Sequence, residues 1–317
     1  MNKNVLVITI NYNHAQMTIE CVNSVLQSSY DKFKICLVDN GSEEDDYLKL
    51  VEYYNNNPKV DILRIEKNSG YVGGVNFGLE KASSFDPDYF LIMNNDTVID
   101  KEAIKILVES AINYNDEAII TGTVFDFNSP NTIQTTGSFF YDKRYLKENY
   151  PYRLNDVTQL ELIEDEERDM IDDVFWLLPK KVFLKTGLYS TCYFLYAEQA
   201  DYALRAVKNG YKLIYTPKAK LWHKGSITTG EGDKQAPPVV FWRNKSSTIY
   251  LFRNIKRRYF FMFLLKKLLK QSFKSLLNFV KNIKPNNAYC ALTGILYGLL
   301  SIINRKPDNG YNPFLKK

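Results

Sequence analysis

The sequence predicts an α/β fold: a mostly parallel central sheet with helices on both faces, followed by a basic helical extension. Three observations predict it. Short β-branched apolar runs alternate with stretches of helical spacing, the runs end again and again on Asn, Asp, Ser or Gly, and beyond residue 238 the composition turns basic, aromatic and leucine-rich. Strands that alternate with helices form βαβ units, and such units place their strands parallel.

"NVLVITINYN" (4–13) is an apolar run closing on a polar turn and predicts the first strand; Ile19, Val22, Val25 and Leu26 in "MTIECVNSVLQSSY" (17–30) have helical spacing. The pattern repeats with a strand at 33–42, a helix at 45–57, a strand at 60–68, a helix at 74–84 and a strand in "DYFLIMNND" (88–96). A helix over 102–113 and a strand over 118–127 precede a loop-rich, aromatic stretch to about residue 168, where no element is predicted. "DDVFWLLPKKVFLKTG" (172–187) predicts a buried strand broken by Pro179 and a short helix stopped near Gly187. Residues 198–211 predict a helix ending at Gly210, and 212–223 a strand pair or one strand bulged at Pro217. A Gly- and Pro-marked loop (225–238) closes a first domain, 1–238, and separates it from a second region, 239–317.

With 45% hydrophobic residues in 317, the chain can bury a sizeable core, so disorder is not the default. The formal charge of +5 is unevenly distributed: residues 240–317 hold 16 Lys and Arg against one acid, Asp308, so the tail is about +15 and the body about −10. Such a tail suits an anionic partner. Lys residues spaced against Leu and Phe over 239–284 predict a basic amphipathic helix for a membrane surface, the alternative being a helix packed on the body with a solvated basic face. "AYCALTGILYGLLSII" (288–303) is uncharged but shorter than the roughly 20 residues of a span, so a shallow contact is expected. Cys21, Cys36, Cys192 and Cys290 lack the paired spacing of a zinc or redox motif, and the N-terminus runs into a strand without a cleavable signal pattern; both point to a reducing cytoplasm.

In parallel sheets, ligands bind outside the carboxyl ends of the strands. Those ends carry Asn11 and Asn13, then Asp39 to Ser42, then Asn68 to Gly70, then Asn94-Asn95-Asp96. Each alone is ordinary turn chemistry; together they predict a polar pocket. The glycines of "NSGYVGGVNFG" (68–78) lack the G-x-G-x-x-G spacing of a dinucleotide site, but let amides at a helix N-terminus approach a phosphate, with Asn76 on the first turn. Asp96 is placed to meet a divalent cation, and His223, in "LWHKGSITTG", ends a strand before a glycine loop. Glu198 and Asp201, three apart at a helix start, either complement the helix dipole or supply a general base, with Arg205 one turn on as an ion-pair partner for Asp201.

Taken in order, "VITINYN", "LVDNGSEED", "NSGYVGGVNFGL", "FLIMNNDTVI", "FLYAEQADYALRAVKNGYKLIYTP" and "LWHKGSIT" resemble the blocks of glycosyltransferase family 2 over roughly residues 4–230. The resemblance implies a GT-A nucleotide-diphospho-sugar transferase fold, a nucleotide-sugar donor (dTDP- or UDP-linked), Mg²⁺ or Mn²⁺, and inversion at the anomeric carbon. It implies that Asn11 and Asp39 hold the nucleobase, that Asn68 and Asn76 line the nucleotide pocket, and that Asn94-Asn95-Asp96 occupies the D-x-D position with Asp96 and His223 at the metal. Asn94 in place of Asp is a departure shared with members resembling rhamnosyl- and galactofuranosyltransferases, which makes dTDP-rhamnose the first expected donor. A glucosyl, galactosyl or galactofuranosyl donor is the alternative. A second departure is Glu198-Gln199-Ala200-Asp201 for Glu-Asp-x-Asp, which leaves Glu198 as base and Asp201 as second candidate. Trp176 is expected to stack on an acceptor sugar, a core position being the alternative. The implied setting is the inner face of a bacterial membrane, with a lipid-linked or glycan acceptor, no nucleic acid, and homo-oligomerisation left open. A silent sugar-nucleotide-binding or scaffold protein is the competing class.

Overall fold

The computed structural model describes residues 3–82, 85–153, 164–225, 236–280 and 287–315. The chain forms two compact units: one of residues 1–139, 149–189 and 202–225, the other of 140–148, 190–201 and 226–317. The second unit thus takes in two segments that the composition break near 238 does not announce. Most of the expected 225–238 loop lies outside the described residues.

The first unit is built on β1 (Val5–Asn11), β2 (Phe33–Asn40), β3 (Val60–Ile65) and β4 (Tyr89–Met93), joined through α1 (Ala15–Leu26), α2 (Glu44–Tyr53) and α3 (Gly70–Lys81). Beyond them come β5 (Thr97–Ile99), α4 (Ala103–Asn113), β6 (Ala118–Asp126), β7 (Ile133–Thr135), β8 (Phe139–Asp142), β9 (Lys147–Asn149), β10 (Glu166–Glu167), β11 (Phe175–Pro179), α5 (Lys180–Thr186), α6 (Glu198–Lys208) and β12 (Lys212–His223). The sheet order is β10-β12-β6-β11-β4-β1-β2-β3, with β5 on β12 and β7 on β6. Pairs β1–β2, β1–β4, β2–β3 and β6–β12 are parallel, while β11 runs antiparallel between β4 and β6.

Parallel strands buried on both faces read as continuous apolar runs, and β1, β2 and β4 do. Val5, Val7, Ile35, Leu37, Leu91 and Met93 face one core with α1 and α4, all with at most 1% exposure. The strand order reverses at β1–β4, so the carboxyl ends of β1, β2 and β4 open on a switch-point crevice. Pro179 does not break β11; it is its last residue and caps α5. Lys212–His223 is one strand, irregular between Tyr215 and Lys220 as Pro217 requires. The aromatic stretch left unassigned by sequence holds β7 to β10, each too short for a periodic signal, with 154–163 outside the described residues.

In the second unit, the helix expected over 239–284 is two helices, α7 (Pro237–Asn254) and α8 (Arg257–Val280), and α9 (Asn287–Asn304) follows. Gly294 and Gly298 on α9 lie flat on α7: a Cβ at Gly298 would sit 2.8 Å from the Lys245 carbonyl oxygen and 2.9 Å from Thr248 Cβ. Phe241 of α7 meets Tyr297 and Phe314 edge-on. Lys245 and Asp308 form an almost fully buried ion pair at 2.7 Å. By length and composition α9 is the one described helix apolar enough to cross a membrane, and its glycine face is already packed on α7.

Gly298→Leu should therefore force α9 off α7. We expect a loss of about 1–3 kcal/mol, read as a lower urea midpoint by far-UV circular dichroism; an unchanged midpoint would show that the two helices are not in close contact.

Candidate active site

Asn11, the last residue of β1, is fully buried, and its amide is the hub of the crevice. Nδ2 donates to Asp39 Oδ1 at 3.0 Å, Ser42 Oγ at 3.0 Å and Asp46 Oδ2 at 2.8 Å. Oδ1 accepts from Thr18 Oγ1 at 2.8 Å, and Thr18 Oγ1 accepts in turn from Asn95 Nδ2 at 2.8 Å. One chain of hydrogen bonds therefore joins the ends of β1, β2 and β4. Asp39 also meets Arg64 Nε at 3.6 Å, and that guanidinium lies 4.1 Å from the Tyr47 ring centroid.

The next strand end is held by Asn40. Its Oδ1 accepts from Ser69 N and Oγ, and its Nδ2 donates to the Gly70 carbonyl at 3.0 Å and to Asn68 Oδ1 at 3.3 Å. Gly41 allows this closeness: at φ +78° its Cβ position is 2.5 Å from Asn68 N. Asn68 thus belongs to the loop that starts α3. Asn76 is turned to another purpose than the one expected: Nδ2 donates to the Tyr189 carbonyl and Oδ1 accepts from Tyr189 N, both at 2.9 Å. Both ends of its amide hold backbone.

The Asn94-Asn95-Asp96 turn is a turn, and a pinned one. Asn94 N donates to the Val174 carbonyl, Thr97 Oγ1 donates to the Asn94 carbonyl, and Lys224 N donates to the Asp96 carbonyl. Directly after it, β5 pairs with the end of β12, with Thr97 opposite His223. That pairing brings His223 Nε2 to 3.2 Å from Asp96 Oδ1. Gln134 fixes the imidazole. Its Nε2 donates to Asp126 Oδ2 and the His223 carbonyl, both pure acceptors, so its Oε1 faces His223 Nδ1 at 2.8 Å and accepts from it. In the neutral ring the Nδ1–H is thereby used, and the Nε2 lone pair points at the Asp96 carboxylate. Two acceptors face each other only with a cation or proton between them. This imidazole-carboxylate pair, with its outer N–H anchored, fits a divalent cation. No group of three or more His, Cys, Asp or Glu for a metal occurs among the described residues, and an ion held by this pair alone would take its other oxygens from water or a ligand.

Asp173, preceding β11, is a buried carboxyl that the sequence did not single out. Tyr189 Oη donates to it at 3.2 Å, and Tyr71 is a second hydroxyl partner. Burial pushes it up to about 7 despite these donors, with Asp172 adding repulsion. Trp176 corrects the expectation of an acceptor platform: it is completely buried, 6.3 Å from Tyr189 and 5.9 Å from Tyr202 between ring centroids, and a core residue reaches no sugar.

Glu198 and Asp201 open α6 and belong to the second unit. Asp201 Oδ1 accepts from Arg253 Nε at 2.9 Å, Asn254 Nδ2 at 3.0 Å and Tyr193 Oη at 3.2 Å. Asp201 in turn holds the Arg253 guanidinium above its ordinary pKa. Arg205 donates to the Thr186 and Leu188 carbonyls. Glu198 is 5% exposed. Gln134, Asp173 and Arg253 were missed because each acts on a residue far off in sequence; only the Asp126–Gln134 spacing after a strand end offered a hint.

A family described as glycosyl transferase family 2 matches residues 6–175. Glycosyltransferase GlyG of Streptococcus pneumoniae serotype 4 is 22% identical over 44% of this chain and 44% of its own length. Poly-beta-1,6-N-acetyl-D-glucosamine synthase of Staphylococcus aureus is 21% identical over 80% of this chain and 58% of its own. The chain thus spans about half the length of these curated relatives. The crystal structure of GalNAc-T7 with UDP, GalNAc and Mn²⁺ superposes with a TM-score of 0.62 at 16% identity, covering 79% of this chain and 47% of that one.

Asp173 generates a pH prediction. Its folded pKa lies above its unfolded value, so the folded state binds the extra proton between about pH 4 and 7, and stability falls as pH rises through that window. Asp173→Asn should abolish this slope, worth a few kcal/mol on the order of 1.4 per pKa unit. Urea unfolding at several pH values checks it; parallel slopes in both proteins would contradict the buried, protonated carboxyl.

Proposed function

The chain belongs to glycosyltransferase family 2, and from that premise we propose that it moves a sugar from a nucleotide-sugar donor to a hydroxyl of a glycan or lipid-linked acceptor, with inversion at the anomeric carbon. The fold is GT-A. The observation that carries the proposal is the Asp96–His223 pair at the end of β4, with Gln134 setting the imidazole so that Nε2 faces the carboxylate. Asp96 and His223 would hold Mg²⁺ or Mn²⁺, and the imidazole nitrogen favours Mn²⁺ of the two. When bound, the ion neutralises charge on the departing diphosphate.

The remaining work falls to the chain's own groups. Asn11 and Asp39, fully buried and bonded to each other, would act by shaping the strand ends beneath the nucleobase rather than by touching it, and the Asn68 loop at the start of α3 would bring backbone amides towards the phosphates. Asn95, held by Thr18, keeps the metal turn in register with the base site. Asn76 acts by holding Tyr189 rather than by touching the nucleotide. Glu198 takes the proton of the acceptor hydroxyl; the acceptor oxygen bonds to the anomeric carbon as the bond to the diphosphate breaks, and the nucleoside diphosphate leaves with the electron pair. Three donors already occupy Asp201 Oδ1, which counts against Asp201 as the base. Protein and donor would meet at the inner face of the cell membrane if the acceptor is lipid-linked.

No motif in the sequence reads the sugar. dTDP-rhamnose is the first donor to test, with UDP-glucose, UDP-galactose, UDP-galactofuranose and UDP-N-acetylglucosamine beside it. A ligand at high excess over its Kd stabilises by about 3 kcal/mol, enough for a thermal-shift screen. Glu198→Gln should lower transfer by roughly 10²–10⁴-fold while the nucleotide shift persists; full transfer by this variant would remove Glu198 from its role, and absence of any nucleotide shift in the unaltered protein would favour a scaffold. Gln134→Leu should weaken Mn²⁺ affinity about 10- to 100-fold, measured calorimetrically with nucleoside diphosphate present. Equal affinity would mean that His223 does not ligate.

A further inference from the structure

We propose that α8 lies along an anionic lipid bilayer, with its exposed apolar row in the acyl boundary and its lysines at the headgroups. Phe261, Met262, Leu265, Leu269, Phe273 and Leu276 are each 48–63% exposed. At about 100° per residue they fall within a single arc of roughly 120° along a helix about 36 Å long. Soluble surfaces scatter such side chains singly; a continuous row marks an interaction site. Lys266, Lys270 and Lys274 are exposed and follow one edge of this arc at about 20°, 60° and 100° beyond it, and Arg257 and Arg258 begin the helix.

The charge pattern identifies the partner. α8 carries no Asp or Glu, and Asp308, the one acid of residues 240–317, is buried against Lys245. A second copy of this helix would offer the lysine row no anion, whereas acidic headgroups would. An apolar arc beside a cationic one, on a helix with too many central lysines to cross a bilayer, is the pattern of a helix lying in the interface plane. α9 also carries exposed Leu296, Leu300 and Ile303, while its glycine face is given to α7. This inference rests on the transferase reading only for its purpose, which is to hold the enzyme where lipid-linked acceptors reside.

The test is sedimentation of the full chain with vesicles of phosphatidylcholine, alone or mixed with phosphatidylglycerol. The chain should sediment with the mixed vesicles, stay in solution with phosphatidylcholine alone, and be released by high salt. Leu265→Glu with Leu269→Glu, both at exposed positions, should lower the bound fraction at least tenfold while the nucleotide thermal shift is unchanged. A triple Lys266→Ala, Lys270→Ala, Lys274→Ala variant should lose binding to anionic vesicles and its salt dependence. Failure to sediment, undiminished binding by the double variant, or a dimer in sedimentation equilibrium that the double variant dissociates would overturn the proposal. Vesicle binding without any nucleotide shift would instead sink the transferase reading and leave this one standing.

Discussion

The crevice depends on one requirement: polar side chains buried at the strand ends must find partners, and the Asn11 amide is where their bonds meet. Three acceptors share its two N–H hydrogens, and the Thr18 hydroxyl donates to its oxygen. Thr18 passes the constraint on to Asn95, two bonds away and one residue before Asp96. Removing the amide would leave buried acceptors unsatisfied, at about 1–3 kcal/mol each. The ends of β1, β2 and β4 are thus joined in a single polar structure, and hydrogen bonds set Asn11, Asp39 and the Asn95-Asp96 turn relative to one another.

Much of this was legible in the sequence because the parallel strands are long, apolar and closed by Asn, Asp or Gly. The alternation placed β1 to β4 and the carboxyl edge where Asn11, Asp39, Asn68 and Asp96 sit. What was not legible depends on pairing between distant short segments. β5 has three residues, too few for periodicity, yet its register against β12 is what sets His223 beside Asp96. Gln134 reaches His223 from β7, also three residues long. Trp176 misled because an aromatic near a polar turn looks the same in sequence whether it points at a ligand or at Tyr189 and Tyr202. Asn76 misled likewise: an amide can bind a ligand or replace a β-bridge, and only the position of the Tyr189 backbone decides.

The first turn of α6 shows how two identical side-chain chemistries are separated by surroundings. Both acids complement the helix dipole. Asp201 is then taken by a cation and two neutral donors from its own unit, an arrangement whose loss leaves a buried charge uncompensated and which therefore resists change. The sequence offered Arg205 as that cation from helical spacing; Arg253 supplies one from α7, through tertiary structure that spacing cannot report. Helical spacing alone could not tell the two acids apart; what the fold adds at Asp201 is the set of donors from Arg253, Asn254 and Tyr193.

The substitution of Asn94 for an acid has an electrostatic consequence for the proposed metal site. With Asn94 neutral and His223 a neutral ligand, Asp96 would supply the one negative charge of this proposed ligand pair. A hard divalent cation bound by one carboxylate and one imidazole is under-neutralised, and the donor's diphosphate is the natural source of the missing charge and oxygens. Metal and donor affinity are then linked, and linkage is reciprocal: whatever factor the diphosphate adds to metal affinity, the metal adds to donor affinity. On the proposed reading, metal and donor would assemble together on a turn whose backbone is already fixed by Val174, Thr97 and Lys224.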